Sequence, residues 1–332
     1  MNGKEKLNET LFLIILLATM FALSGCDSGT NNPPDDGLTD TIPTIRTELV
    51  ENGAQPVWLN DTYSYFLFSY KDDIGVEGIY MSGFYGTVTT LWTGANNHDY
   101  LPSPDANRVA FSSPDVGSGV VIVNVNTEED SLILEGGKHP AWLTDDILIA
   151  ETAEGGIVAI DLTTSEITEV IGAGYSPICA PDGSGFAFIR SNASSYGQTL
   201  YWKPYNDGEW GSTVTVATGV GNDAVFSPTG LSVYISVVDS EEQSVIVRYT
   251  LTAYATGTAI LNGAWQPSIS GDGDHLFADR ISSSTPGNLH YTNLDTGEYG
   301  IVMDATFPAA MANGSTLLVE SDWGIEYLEL EL

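Results

Sequence analysis

The sequence predicts an all-β fold: a seven-bladed β-propeller of four-stranded antiparallel blades, closed by an N-terminal strand. Three observations carry this expectation. First, Asp223 to Val237 reads DAVFSPTGLSVYISV, two apolar runs separated by the turn Ser227-Pro228-Thr229-Gly230. Pro presets φ and Gly accepts positive φ, so the stretch reads as a tight β-hairpin. Second, the hairpin recurs. Aligned on the turn, its copies begin at Pro56, Tyr100, Pro140, Pro177, Ala224, Pro267 and Pro308, and their turn residues are Asp61, Asp105, Asp145, Asp182, Thr229, Asp272 and Asn313. The steps of 44, 40, 37, 47, 43 and 41 residues match the period of propeller blades. Third, the last repeat is one strand short, while Ile45–Val50 (IRTELV) alternates like a strand ahead of the first repeat. That strand is expected to complete the last blade and remove the free sheet edges.

Taken in order, residues 1–25 have the layout of a signal peptide. Lys4 and Lys6 precede the apolar run Leu11–Leu23, which is short for a membrane span. The run ends in Leu23-Ser24-Gly25-Cys26, which resembles the bacterial lipobox. The resemblance implies cleavage before Cys26 and a lipid on its thiol, hence a membrane-anchored lipoprotein of the bacterial cell envelope, periplasmic or at the cell surface. Residues 26–43 are rich in Pro, Gly, Asp and Asn and read as a flexible tether. Fully extended, such a tether spans roughly 55 Å.

Residues 44–332 are assigned to the propeller. Third strands are expected at Gly78–Met81, Val120–Val125, Gly156–Asp161, Thr199–Tyr205, Ser244–Leu251 and Leu289–Asn293. Fourth strands are expected at Val88–Leu91, Ser131–Leu134, Glu166–Ile171, Thr213–Ala217, Thr258–Leu261 and Gly300–Met303. Gly-bearing loops such as Gly136-Gly137, Gly172–Gly174 and Gly219–Gly221 should then lead into the next blade. No helical pattern occurs after residue 43.

Ser103–Ser113 (SPDANRVAFSS), Ala180–Arg190 (APDGSGFAFIR) and Phe226–Ser236 (FSPTGLSVYIS) resemble the repeat unit of TolB-like, WD40-like propellers. The resemblance runs from Ile45 to Leu332. It implies the propeller fold and a channel mouth able to receive an extended peptide of a partner. TolB carries a globular domain ahead of its propeller, where this chain has a tether and one strand.

Composition narrows the partners. Lys and Arg total 10 against 44 Asp and Glu, a formal charge of −34. Such a surface repels nucleic acid and anionic lipid and suits cations, a basic partner, or solubility in a salty habitat. Cys179 reads as a buried small hydrophobe, so no structural disulfide is expected. A monomer is expected.

In a propeller the first strand of each blade lines the central channel. The residue just before each first strand then faces one mouth: Gln55, Asp99, His139, Ser176, Asp223, Gln266 and Phe307. The first six are polar and form the candidate ligand-binding site. The bland alternative is a wet channel whose polar groups water satisfies. Turn carboxylates such as Asp61, Asp105, Asp145, Asp182 and Asp272 could suggest calcium, and Gly271-Asp272-Gly273-Asp274 superficially more so. Asp in these turns ordinarily bonds its own backbone, and an EF-hand's ligand ladder is missing. No Gly-x-Ser-x-Gly or His-Glu-x-x-His occurs. His98, His139, His275 and His290 lack metal-ligand spacing. No catalytic residue and no cofactor is predicted, with a divalent cation left open. Trp202, Trp210 and Trp323 could stack on sugars or pack between blades. The sequence therefore favours a non-enzymatic binding module. A metal-dependent carbohydrate lyase or hydrolase at the mouth and a structural scaffold are the alternatives.

Overall fold

A computed structural model describes residues 44–330, apart from 60–63, 72–76, 85–87, 95–99, 115–117, 192–197, 239–243, 252–256, 281–287, 303–304, 311–314 and 322–323. The expected signal peptide, Cys26 and the tether lie outside the described residues, as do Asp61, His98, Asp99, Asn313 and Trp323.

The described chain is strand, turn and short loop, with no helix among the described residues. It enters on β1 (Thr44–Glu51) and passes into a first sheet of β2 (Gly53–Trp58), β3 (Tyr65–Lys71), β4 (Glu77–Gly83) and β5 (Thr89–Thr93). The second sheet holds β6 (Leu101–Pro102), β7 (Arg108–Ser113), β8 (Gly119–Asn124) and β9 (Asp130–Glu135). The third holds β10 (Lys138–Trp142), β11 (Ile147–Glu151), β12 (Ile157–Asp161) and β13 (Glu166–Ile171). There follow β14 (Tyr175–Cys179), β15 (Gly185–Ser191), β16 (Gln198–Asn206), the short β17 (Glu209–Trp210), β18 (Val214–Phe226), β19 (Ser232–Val238), β20 (Ser244–Thr250) and β21 (Gly257–Asn262), joined in one larger sheet. The next sheet holds β22 (Ala264–Ile269), β23 (His275–Arg280), β24 (Leu289–Asn293) and β25 (Tyr299–Val302). The last is β26 (Thr306–Ala310), β27 (Thr316–Ser321) and β28 (Gly324–Leu330), with β1 on its outer edge.

The N-terminal strand behaves as the repeat arithmetic requires. β1 runs antiparallel to β28, from Thr44 opposite Leu330 to Glu51 opposite Gly324, with one bulge between Glu48 and Val50. Arg46 pairs with Glu326 across this seam at 2.8 Å.

One expected loop is missing. Gly219–Gly221 is no loop. β18 runs through it as strand, pairing Gln198–Trp202 of β16 with its first half and Val233–Val237 of β19 with its second. Val220 bridges the crossover: it faces Gln198 on one side and Val237 on the other, ahead of a bulge between Val220 and Ala224. Gly219 turns the strand at φ +73°. At Gly221 a Cβ would meet Ser236 Oγ at 2.5 Å, so glycine lets the two strands approach there. The Gly136-Gly137 and Gly172–Gly174 connections, by contrast, leave the ladder as expected.

The hairpin turns repeat one geometry. Gly230 N–H donates to Ser227 O at 2.9 Å, and Ser232 N–H to Ser227 Oγ at 3.1 Å. The same two bonds recur from Ala106 and Arg108 to Ser103, and from Gly273 and His275 to Ser270. The turn carboxylates are spent on backbone. Asp105 accepts Asn107 N–H at 3.1 Å, Asp182 accepts Ser184 N–H at 3.0 Å, and Asp272 accepts Asp274 N–H at 3.0 Å. Asp145 accepts Asp105 N–H at 2.8 Å, tying neighbouring turns together.

Sheets pack face to face, which is why the middle strands are apolar on both sides. Leu67, Ile79 and Leu91 of the first sheet meet Val109, Phe111 and Val121 of the second. Phe66, Phe68 and Tyr80 of the first sheet meet Leu318 and Ile325 of the last, so the sheet array returns on itself. Six phenylalanines, Phe66, Phe68, Phe111, Phe186, Phe188 and Phe277, are fully buried, each stabilising by about 1.5–3 kcal/mol. Polar links run sideways as well. Trp58 Nε1–H donates to Ala309 O at 2.9 Å, and Trp142 Nε1–H to Leu101 O at 3.0 Å. Cys179 fills the equivalent place, its Sγ 3.6 Å from Ala141 O. Burial pushes its thiol well above the ordinary range, the behaviour of an inert packing residue. Trp202 packs on Phe226 and Trp210 on Phe186 and Tyr205, so both are packing residues too.

Candidate functional site

The first strands converge at one end of the fold. Gln55, His139, Ser176, Asp223 and Gln266, from five of them, line a single cavity of about 570 Å³, with Tyr100 and the prolines Pro56, Pro140, Pro177, Pro267 and Pro308. Asp99, the remaining predicted member, lies outside the described residues.

Their placement within the chain differs from expectation. These residues do not precede the first strands; they sit inside them, at a β-bulge. The register slips between Ala54 and Val57, Lys138 and Ala141, Tyr175 and Ile178, and Trp265 and Ser268. A bulge sets two residues against one and re-aims a side chain. Here the re-aimed residue adopts the left-handed conformation: φ is +52° at Gln55 and +48° at His139, Ser176 and Gln266. For residues with a Cβ this strain costs about 1–3 kcal/mol each and persists when the surroundings over-determine it.

Hydrogen bonds from the preceding sheet supply that constraint. Gln55 N–H donates to Glu320 Oε2 at 3.0 Å, His139 N–H to Ser112 Oγ at 2.9 Å, and Ser176 N–H to Glu151 Oε2 at 3.3 Å. The Tyr100 hydroxyl donates to the Gln55 carbonyl. Burial, opposed by hydrogen bonding to Ser69, holds the Tyr100 phenol well above the ordinary tyrosine range.

Glu151 is the group the sequence reading missed. It is 4% exposed and ends β11. Its Oε1 lies 3.0 Å from Lys138 Nζ, and its Oε2 lies 2.9 Å from His139 Nδ1. A carboxylate this buried needs such compensation. A signal was present: three second strands carry an acid at one register, with Glu151 opposite Lys138, Asp279 opposite Trp265 and Glu320 opposite Thr306. Nothing in the repeat pattern said that Glu151 and Glu320 stand behind mouth residues. Asp223 lies in the same cavity lining, and burial raises its carboxyl above the usual range. Among the described residues no three His, Cys, Asp or Glu side chains are grouped to hold a metal ion.

No protein-family model and no curated protein matches the chain. Solved structures do. An oligogalacturonate lyase in complex with manganese aligns at a TM-score of 0.68 and 15% identity, over 88% of this chain and 96% of that one. TolB from Acinetobacter baumannii aligns at 0.55 and 13%, over 73% and 64%. The Cps50 β-propeller domain of Myceliophteria thermophila aligns at 0.58 and 11%, over 88% and 99%. The fold is a β-propeller with TolB-like architecture. Identities this low speak to fold alone.

Proposed function

We propose that this protein is a lipid-anchored, seven-bladed β-propeller of the bacterial envelope. In this reading it is a monomer that binds a small ligand or an extended segment of an envelope protein at its channel mouth, without catalysis. The reading of seven blades divides the larger sheet at Val220, where β18 changes partner, and gives β1 to the last blade. The observation that carries the binding reading is the convergence of Gln55, His139, Ser176, Asp223 and Gln266 on one cavity, each from a different repeat.

Chain direction supports a mouth clear of the bilayer. β1 ends at Glu51, beside the mouth strand β2, and begins at Thr44, roughly 23 Å away at strand rise. A tether joined to Thr44 thus leaves from the face bearing the hairpin turns. The lipobox at Cys26 supports the anchor, and a purified-chain mass matching loss of residues 1–25 plus a lipid on Cys26 would test it. The net charge of −34 argues against nucleic acid as partner.

A second reading, a carbohydrate lyase or hydrolase working with a divalent metal, draws on the His139–Glu151 contact of 2.9 Å and on Asp223 in the same cavity with its raised pKa. Alanine at Asp99, His139 and Asp223 together separates the readings in the full chain. A binder loses affinity and an enzyme loses turnover in assays with and without added divalent metal. A scaffold loses neither, and that outcome would overturn both site readings.

A further inference from the structure

Two neighbouring mouth residues share one support. His139 comes from β10 and Ser176 from β14, in adjacent sheets, and both are held in the left-handed conformation. Glu151 touches both. Its Oε2 takes the Ser176 N–H at 3.3 Å and faces His139 Nδ1 at 2.9 Å, while Oε1 takes Lys138 Nζ at 3.0 Å. The side chain is 6% exposed, so water offers little alternative.

We propose that Glu151 is the positioning residue of the mouth, holding the His139 ring with its proton on Nδ1 and fixing the backbone of Ser176, so that two sheets present their side chains in one arrangement. The proton assignment follows from the partners. Each Glu151 oxygen already faces a donor that cannot accept, an ammonium on Oε1 and a backbone amide on Oε2. The carboxylate therefore acts as acceptor throughout, and the His139 ring must donate from Nδ1. In the neutral ring Nε2 is then the acceptor nitrogen. A second carboxylate, Glu320, holds the Gln55 amide in the same manner, which makes this a device used twice around the rim.

The relevance to ligand binding rests on the mouth reading above, but the positioning does not, so the test uses no ligand. The full chain is prepared with 15N-labelled histidine; it has four histidines, and His139→Gln assigns the signal. The expected result is an Nδ1–H ring at a pH where His139 is neutral. In Glu151→Leu that preference is lost, and exchange of the Ser176 amide accelerates roughly tenfold, the worth of one charge-assisted hydrogen bond. Glu151→Gln keeps the volume and serves if the leucine variant does not fold. Its Nδ1 proton signal should move upfield as the bond loses its charge, with a smaller gain in Ser176 exchange. Glu320→Gln should alter the Gln55 amide and leave the His139 ring unchanged. A wild-type ring protonated on Nε2, or a His139 spectrum and Ser176 exchange indifferent to position 151, overturns the proposal. A failed mouth reading looks different: no affinity for any ligand, with the His139 signature intact.

Discussion

Gly324 offers a direct test of the seam between the two chain ends. It opens β28 opposite Glu51, at φ +132°. A Cβ added there would lie 2.1 Å from Val50 O and 2.6 Å from Asn52 N. Both obstacles are backbone of the segment that ends β1, so no side chain can rotate away. Gly324→Ala therefore carries two penalties: about 1–3 kcal/mol for a conformation that L-residues avoid, and about 1–3 kcal/mol for forcing packed strands apart. Gly155→Ala is the control, with a positive φ of +84° and nothing within 4 Å of its Cβ. It should show the backbone penalty alone, about 1–2 kcal/mol. Urea unfolding of both variants at 25 °C gives the difference, and thermal melts should place Gly324→Ala roughly 10 °C below wild type. Amide exchange along residues 44–51 should also quicken in Gly324→Ala. Equal losses in the two variants would mean that β1 does not press on Gly324, and the closure of the last sheet by the first strand would have to be abandoned.

Three further outcomes are expected. Asp223→Asn should stabilise the fold at pH 7 and lose that advantage near pH 3. Burial raises the Asp223 carboxyl above its usual 3.8, so its protonated form suits the fold, and that contribution fades as pH rises; chemical denaturation at both pH values reads the difference. Tyr100→Phe removes a buried donor and leaves the Gln55 carbonyl with one partner fewer, at a cost of about 1–2 kcal/mol in urea unfolding. In the turns, burial pushes Asp105 and Asp272 upward, but hydrogen bonds from Ser103 and Asn107, and from Ser270 and Asp274, outweigh it and both carboxyls end below 3.8. Their contribution is therefore present above the unfolded pKa and lost as pH falls through the lower folded value. Acid unfolding of Asp105→Asn/Asp272→Asn should accordingly show a shallower decline below about pH 4.

The recurring hairpin and the strand character of the N-terminal segment were legible because each is local. A turn residue, an apolar run and a Pro recur at a countable spacing, and strand alternation needs no knowledge of neighbours. Ser103, Ser227 and Ser270 each hold the turn beginning at their own position, so the repeat unit carries its own geometry. The signal failed at particular contacts between repeats. Gly219–Gly221 reads as a loop by composition, yet Val220 pairs on both sides, which no single repeat discloses. Likewise Gln55, His139, Ser176 and Gln266 look like residues ahead of a strand. At Gln55, His139 and Ser176 the left-handed bulge is held by Glu320, Ser112 and Glu151 of the sheet before.

The sequence alone determined the all-β character, the repeated hairpin module and its turn chemistry, since these follow from short-range propensity and periodicity. Tertiary structure alone decided that Glu151 stands behind His139 and Ser176, that Glu320 grips Gln55, and that β18 runs unbroken from one sheet to the next. Those contacts join residues 12, 25 and 265 positions apart. They come into being when neighbouring sheets are pressed together, and hydrophobic packing between the sheets, rather than anything local to the chain, sets that arrangement.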